Sequence, residues 1–197
     1  MATEQVFAKP PLLIVISAPS GAGKTTLCAR LLEDFGELRL SVSTTTRPPR
    51  GQEKHGREYF FTTREDFETQ IAQEHFVEWA DVHGNYYGTS KRVIEETLAG
   101  GNSVLLDIEV QGSENLKSSF GGRCVTIFIA PPSMQELEHR LRSRGTDSEA
   151  SIQRRLHNAR REMAQAEKFD FQLVNDDLTA TYSRLSAIIS RVLRGNS

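Results

Sequence analysis

Residues 17–26 read SAPSGAGKTT and follow directly on the apolar run LLIVI. A turn whose backbone N–H groups point inward, closed by a lysine and a hydroxyl at the start of a helix, cradles phosphate. Its usual spacing is G-x-x-x-x-G-K-[ST] between a strand and a helix. Gly21, Gly23, Lys24 and Thr25 meet that spacing, while Ala18 stands where the first glycine is expected. A methyl there asks only that the residue avoid positive φ. Residues 12–17 are predicted to form a strand covered on both faces. A helix over 27–33, with Leu27 and Leu31 at i, i+4, directs its positive N-terminal end at the phosphates. Lys24 then serves the outer phosphates of a nucleoside triphosphate and Thr25 a magnesium ion.

The remaining chain alternates strand and helix patterns, which predicts an α/β fold with a largely parallel sheet. SVLLDIEV (103–110) and CVTIFIA (124–130) are predicted buried strands, and FQLV (171–174) a shorter one. Helices are expected over 90–100, from Ser133 with a capping-box Glu136, and over 178–193. VLLDIE carries Asp107 at a strand end, the arrangement of a second acidic element near a metal. The segment 42–89 breaks the rhythm and reads as an inserted lobe of short strands and turns around one helix over 64–73.

At 197 residues the chain suits one compact domain with small insertions. A net charge of −2 gives no general attraction to nucleic acid or to an anionic membrane. The two cysteines, Cys28 and Cys124, lie far apart in apolar stretches and read as buried hydrophobes. No run approaches the roughly 18 apolar residues of a membrane span, and the first residues lack a signal-peptide pattern. The expectation is a soluble cytoplasmic protein.

What accepts the phosphate is sought in the lobe. STTTRPPRG sets Arg47 and Arg50 three residues apart on a proline-stiffened spacer, suited to bidentate pairing with a small phosphate. Tyr59 and Tyr87 offer further donors. In FVEWADV, Glu78 shares a strand face with Phe76, Ala80 and Val82. Its carboxylate could accept from the adjacent N1–H and N2–H₂ of a guanine, or it could lie in solvent or pair with an arginine.

The segments SAPSGAGKTT, SVSTTTRPPRGQEKHGREYFF, FVEWADVHGNYYGTS, LLDIEVQG, IFIAPPS, RLRSRGTDSE and VNDD occur in this order and with these gaps in guanylate kinases. The sequence resembles that family from about Leu12 to the closing helix. The resemblance implies a P-loop NTPase-type parallel sheet core with helices on both faces. It also implies an inserted mixed α/β GMP-binding lobe (about 42–89) and a helical lid (about 136–167), leaving about 10–41, 90–135 and 168–197 as the core. It implies phosphoryl transfer from ATP to GMP, with dGMP as a further acceptor, in purine nucleotide metabolism.

Residue by residue, the resemblance places ATP on Ala18, Pro19, Ser20, Gly21, Ala22, Gly23, Lys24, Thr25 and Thr26, with adenine near Asn175. It places the GMP phosphate on Arg47, Arg50, Tyr59 and Tyr87, and the base on Glu78 with Ser43, Thr89 and Asp107 around it. Mg²⁺ would sit on Thr25 and the ATP phosphates, with Asp107 reaching it through water. Arg140 and Arg144, i, i+4 on one helix face, and Arg155, at the start of the return helix, would join Lys24 in neutralising the transferred phosphoryl group. No general base is assigned, because the GMP phosphate is already largely ionised near neutral pH. Glu109, one methylene longer, stands where the family often has aspartate. Two alternatives are a non-catalytic guanylate-kinase-like binding module and a kinase acting on a phosphorylated ribose. The intact Lys24-Thr25 pair argues against the first, and Glu78 with its arginines and tyrosines against the second.

Overall fold

The computed structural model describes residues 10–82, 84–143, 145 and 147–195. Its core is a five-stranded, wholly parallel sheet of β1 (Leu13–Ser17), β2 (Leu38–Leu40), β7 (Ser103–Asp107), β8 (Cys124–Ala130) and β9 (Phe171–Val174), in the order β2-β7-β1-β8-β9. Parallel neighbours need crossover connections, and helices supply them on both faces. The alternation within β1 shows the sorting. Ile14 and Ile16 pack with Leu27 and Leu31 of α1 (Lys24–Asp34) and with Leu185 and Ile189 of α7 (Leu178–Arg194). Leu13 and Val15 pack with Ile94 of α3 (Lys91–Ala99) and Leu116 of α4 (Val110–Phe120). Both faces of β1 are buried, as its unbroken apolar run requires.

A second, mixed sheet runs β4-β3-β6-β5, from β3 (Thr44–Thr45), β4 (Phe60–Phe61), β5 (Phe76–Val82) and β6 (Asn85–Ser90). Helix α2 (Arg64–Ala72) covers it through Phe67, whose ring stacks on Phe76 at 4.4 Å between centroids. Helices α5 (Met134–Ser143) and α6 (Glu149–Met163) form a separate pair around Leu137, Leu141, Ile152 and Leu156. No helix among the described residues is long and apolar enough to cross a membrane. Cys28 and Cys124 are free and buried, and burial pushes their thiols up to about 12 and about 11.

Three expectations need correction. The strand expected over 103–110 ends at Asp107, and the chain turns at once into α4, a helix that the residue pattern does not predict. The helix after the phosphate loop begins at Lys24 rather than residue 27, because Gly23 is its N-cap. Arg155 lies in the interior of α6, which starts six residues earlier behind the Ser148 cap.

Candidate active site

A cleft of about 410 Å³ opens at the carboxyl ends of β1 and β7, where open parallel sheets collect their ligands. Residues 18–21 and 23–26 form one wall. Gly21 and Gly23 have φ of 99° and 97°, values that a side chain would strain. A Cβ on Gly21 would lie 3.0 Å from Leu141 Cδ2, so α5 packs directly onto the loop. A Cβ on Gly23 would fall 2.3 Å from Asn175 Nδ2. That amide donates to the carbonyl of buried Ala22 at 2.6 Å, while Asn175 O accepts from Arg140 Nη2 at 3.1 Å. Asn175, which the resemblance places near adenine, is buried and braces the phosphate loop through Ala22.

Lys24 Nζ forms an ion pair with Asp107 Oδ1 and lies 3.5 Å from the Ile108 carbonyl. Burial opposes its charge, but the carboxylates of Asp107 and Glu109 outweigh burial and hold the ammonium above its ordinary pKa. The lysine is therefore fully cationic at the point where phosphates enter. Thr25, Asp107 and Glu109 all line the same cleft.

The opposite wall comes from the lobe and contains Ser43, Arg50, Tyr59, Glu78 and Tyr87. Burial, with Tyr87 and Asp107 nearby, raises the Tyr59 phenol, so it stays a neutral donor. Glu78 is 8% exposed, and its Oε1 accepts from the Thr89 hydroxyl. Burial raises its carboxyl pKa, and the Thr89 bond opposes the rise. Glu78 is therefore not in solvent, and among the described residues it pairs with no arginine.

Arg47 is 6% exposed and, unlike Arg50, does not itself line the cleft, though it touches Tyr59 and Tyr87, which do. Its Nε donates to Tyr87 Oη at 3.2 Å, Nη1 to Pro48 O at 2.7 Å, and Nη2 to both Glu53 carboxylate oxygens at 3.0 Å. Glu53 also accepts from the Arg50 backbone N–H at 2.8 Å. The arginine pair is thus split: Arg47 is an anchor and Arg50 faces the cavity.

From α6, Arg155 reaches the loop, donating Nη1 to Ser20 Oγ at 3.1 Å, and pairs with Asp147 at 3.1 Å. Arg140 is held by Glu136 at 2.8 Å as well as by Asn175. Arg144 lies outside the described residues. Ala22, Thr89, Asn175, Arg47 and Arg140 do not line the cleft themselves. Asn158 and Glu162, not among the expected site residues, also line the cleft beside Arg155. Their spacing of three and seven from Arg155 puts all three on one helical face, a signal that was present in the sequence. Among the described residues, the buried Glu162 Oε2 has no hydrogen-bond partner, and burial together with Glu109 pushes the carboxyl up to about 7 against the pull of Lys24.

A family model described as Guanylate kinase matches residues 11–192. A guanylate kinase of Polaromonas sp. is 52% identical over 167 residues, covering 85% of this chain and 81% of its own. One from Synechocystis sp. is 48% identical over 189 residues, covering 96% and 98%. Among solved structures, guanylate kinase from Anaplasma phagocytophilum superposes with a TM-score of 0.77 at 33% identity, covering 94% of this chain and 88% of that one.

Proposed function

The chain belongs to the guanylate kinase family, and we propose from that premise how its cleft transfers the γ-phosphoryl group of ATP to GMP. The observation that carries the reading is the opposition of two walls across one cavity. The phosphate loop with Lys24 and Thr25 faces Arg50, Tyr59, Tyr87 and Glu78.

The loop amides and Lys24 hold the ATP phosphates, and the positive end of α1 adds to the attraction. To do so, Lys24 exchanges part of its ion pair with Asp107 for phosphate oxygens. Arg50 and the Tyr59 and Tyr87 hydroxyls hold the acceptor phosphate. Arg47 orients Tyr87 by donating to its oxygen, which leaves the phenolic proton to point into the cleft. Glu78 accepts from the two adjacent donors on the guanine edge through its two oxygens, one of which the Thr89 hydroxyl also holds. Ser43 and Asp107 complete the surroundings of the acceptor. Arg155, already on the loop through Ser20, is placed to meet the charge that spreads over the transferred oxygens. Arg140 acts by bracing Asn175 and, through it, the loop.

The donor set suits magnesium: the Thr25 hydroxyl and the Asp107 and Glu109 carboxylates are hard oxygen ligands at the phosphate end. Among the described residues no three His, Cys, Asp or Glu side chains converge on one point, so substrate phosphates and water would complete the ion's shell. When bound, Mg²⁺ neutralises phosphate charge and aligns the transfer. In this reading 42–89 is the acceptor lobe, 136–167 a lid closing over ATP, and the remainder the core. Lid closure excludes water from the phosphoryl group. dGMP is a second acceptor in this reading, because it presents the same phosphate and the same guanine edge as GMP. The family's substrates are small molecules, and the protein acts without nucleic acid, in the cytoplasm.

The test is ADP release with MgATP against GMP, dGMP, AMP, CMP and UMP. Turnover with GMP and dGMP far above the other three supports the reading. Absence of GMP-dependent turnover would refute it.

A further inference from the structure

Gly112 lies in the first turn of α4, at a position with no positive φ and no turn that would call for glycine. Alanine is the better helix former there. The reason for glycine is found across the fold. A Cβ at Gly112 would sit 2.6 Å from Glu78 Oε2, 3.1 Å from Glu78 Cδ and 3.2 Å from Ile108 Cδ1. The first of these distances is far inside van der Waals contact.

Something would have to move, and the surroundings decide what. The helix is anchored by its buried residues Val110, Ser113 and Leu116. Glu78 is held on its other side, where Oε1 takes the Thr89 hydroxyl from the paired strand β6. The carboxylate group is the softest part of this contact, being the end of a side chain. It can retreat only by giving up Thr89 or by swinging into the cleft.

We propose that Gly112 is a specificity-determining positioning residue for the acceptor. The notch left by its missing side chain is the seat of the Glu78 carboxylate, and that seat sets how far the carboxylate projects toward the base. Two adjacent donors are recognised by two oxygens only when depth and tilt match both, so a displaced carboxylate loses one of the pair. Gly112 touches no substrate itself. The inference rests on the reading of Glu78 as the group that binds the guanine edge.

The experiment compares Gly112→Ala, Glu78→Asp, their double variant and Glu78→Ala, each in kcat and in KM for GMP and for ATP. Gly112→Ala is expected to raise the KM for GMP about tenfold, the scale of one lost charge-assisted hydrogen bond, with kcat and the KM for ATP little changed. The shorter aspartate relieves the crowding, so the double variant's KM for GMP should fall below the product of the two single effects. An unchanged KM for GMP in Gly112→Ala, effects that multiply in the double variant, or a parallel rise in the KM for ATP would overturn the proposal. Glu78→Ala separates the two levels. If it leaves the KM for GMP unchanged, the reading of Glu78 itself falls. If it raises that KM while Gly112→Ala does not, only the role of Gly112 falls.

Discussion

The Glu162 carboxyl gives a prediction that needs no substrate. It lies in the cleft wall with one oxygen buried and, among the described residues, unpartnered, and burial together with Glu109 raises its pKa from 4.5 to about 7, with Lys24 opposing. In the unfolded chain the same group titrates near its ordinary value. Between about pH 4.5 and 7 the folded protein therefore binds a proton that the unfolded chain does not. The contribution of Glu162 to stability must fall as pH rises through that window. At about 1.36 kcal/mol per pH unit the full rise corresponds to roughly 3 kcal/mol, and partial exposure in the cleft brings the expected loss to about 1–3 kcal/mol. Glu162→Gln removes the titration while keeping the shape. Urea unfolding of both proteins at pH 5, 6, 7 and 8 should show the variant gaining on the wild type as pH rises, with the gap levelling off above pH 7. Parallel stability curves would show that Glu162 is not held neutral, and would refute the placement of its carboxyl beside Glu109.

Other consequences follow from the same contacts. Asn175→Ala leaves the carbonyl of buried Ala22 without its donor, which should cost about 1–3 kcal/mol in urea unfolding and raise the KM for ATP more than that for GMP. A variant of unchanged stability would mean that the amide does not support the loop. Arg155→Ala should lower kcat about 10²-fold or more with smaller changes in either KM, because its charge is aimed at oxygens that gain charge during transfer. An effect confined to the KM for ATP would make Arg155 a ground-state ligand only.

The core was legible in the sequence where a single local signal sufficed. Residues 124–130 and 171–174 are apolar runs bounded by turn residues, and both strands fall where those runs lie. The phosphate loop declared itself through fixed spacing. Helix α4 was not legible. Its segment VQGSENLKSSF buries Gly112 and Ser113 beside Val110 and Leu116, so small and polar residues stand where a helical stripe would show apolar ones. The two-residue strands β3 and β4 are shorter than any period.

The site was legible as a set of residue types, and much less so as a set of contacts. Arg47 and Arg50 look equivalent in sequence, and only the fold shows Glu53 occupying one of them. The Asn175 strut joins residues 153 apart in sequence. The crowding between Gly112 and Glu78 is equally a product of how α4 meets β5, which no local pattern encodes.

The central claim is that two walls of one cleft hold two different substrates, Lys24 serving ATP and Glu78 serving GMP. Separate KM values for ATP and GMP in Glu78→Ala, set beside turnover in Lys24→Ala, test it most directly. Glu78→Ala should raise the KM for GMP at least tenfold while that for ATP stays within about twofold. Lys24→Ala should fold normally yet lose orders of magnitude in turnover. Equal rises in both KM values in Glu78→Ala, or surviving turnover in Lys24→Ala, would contradict the account.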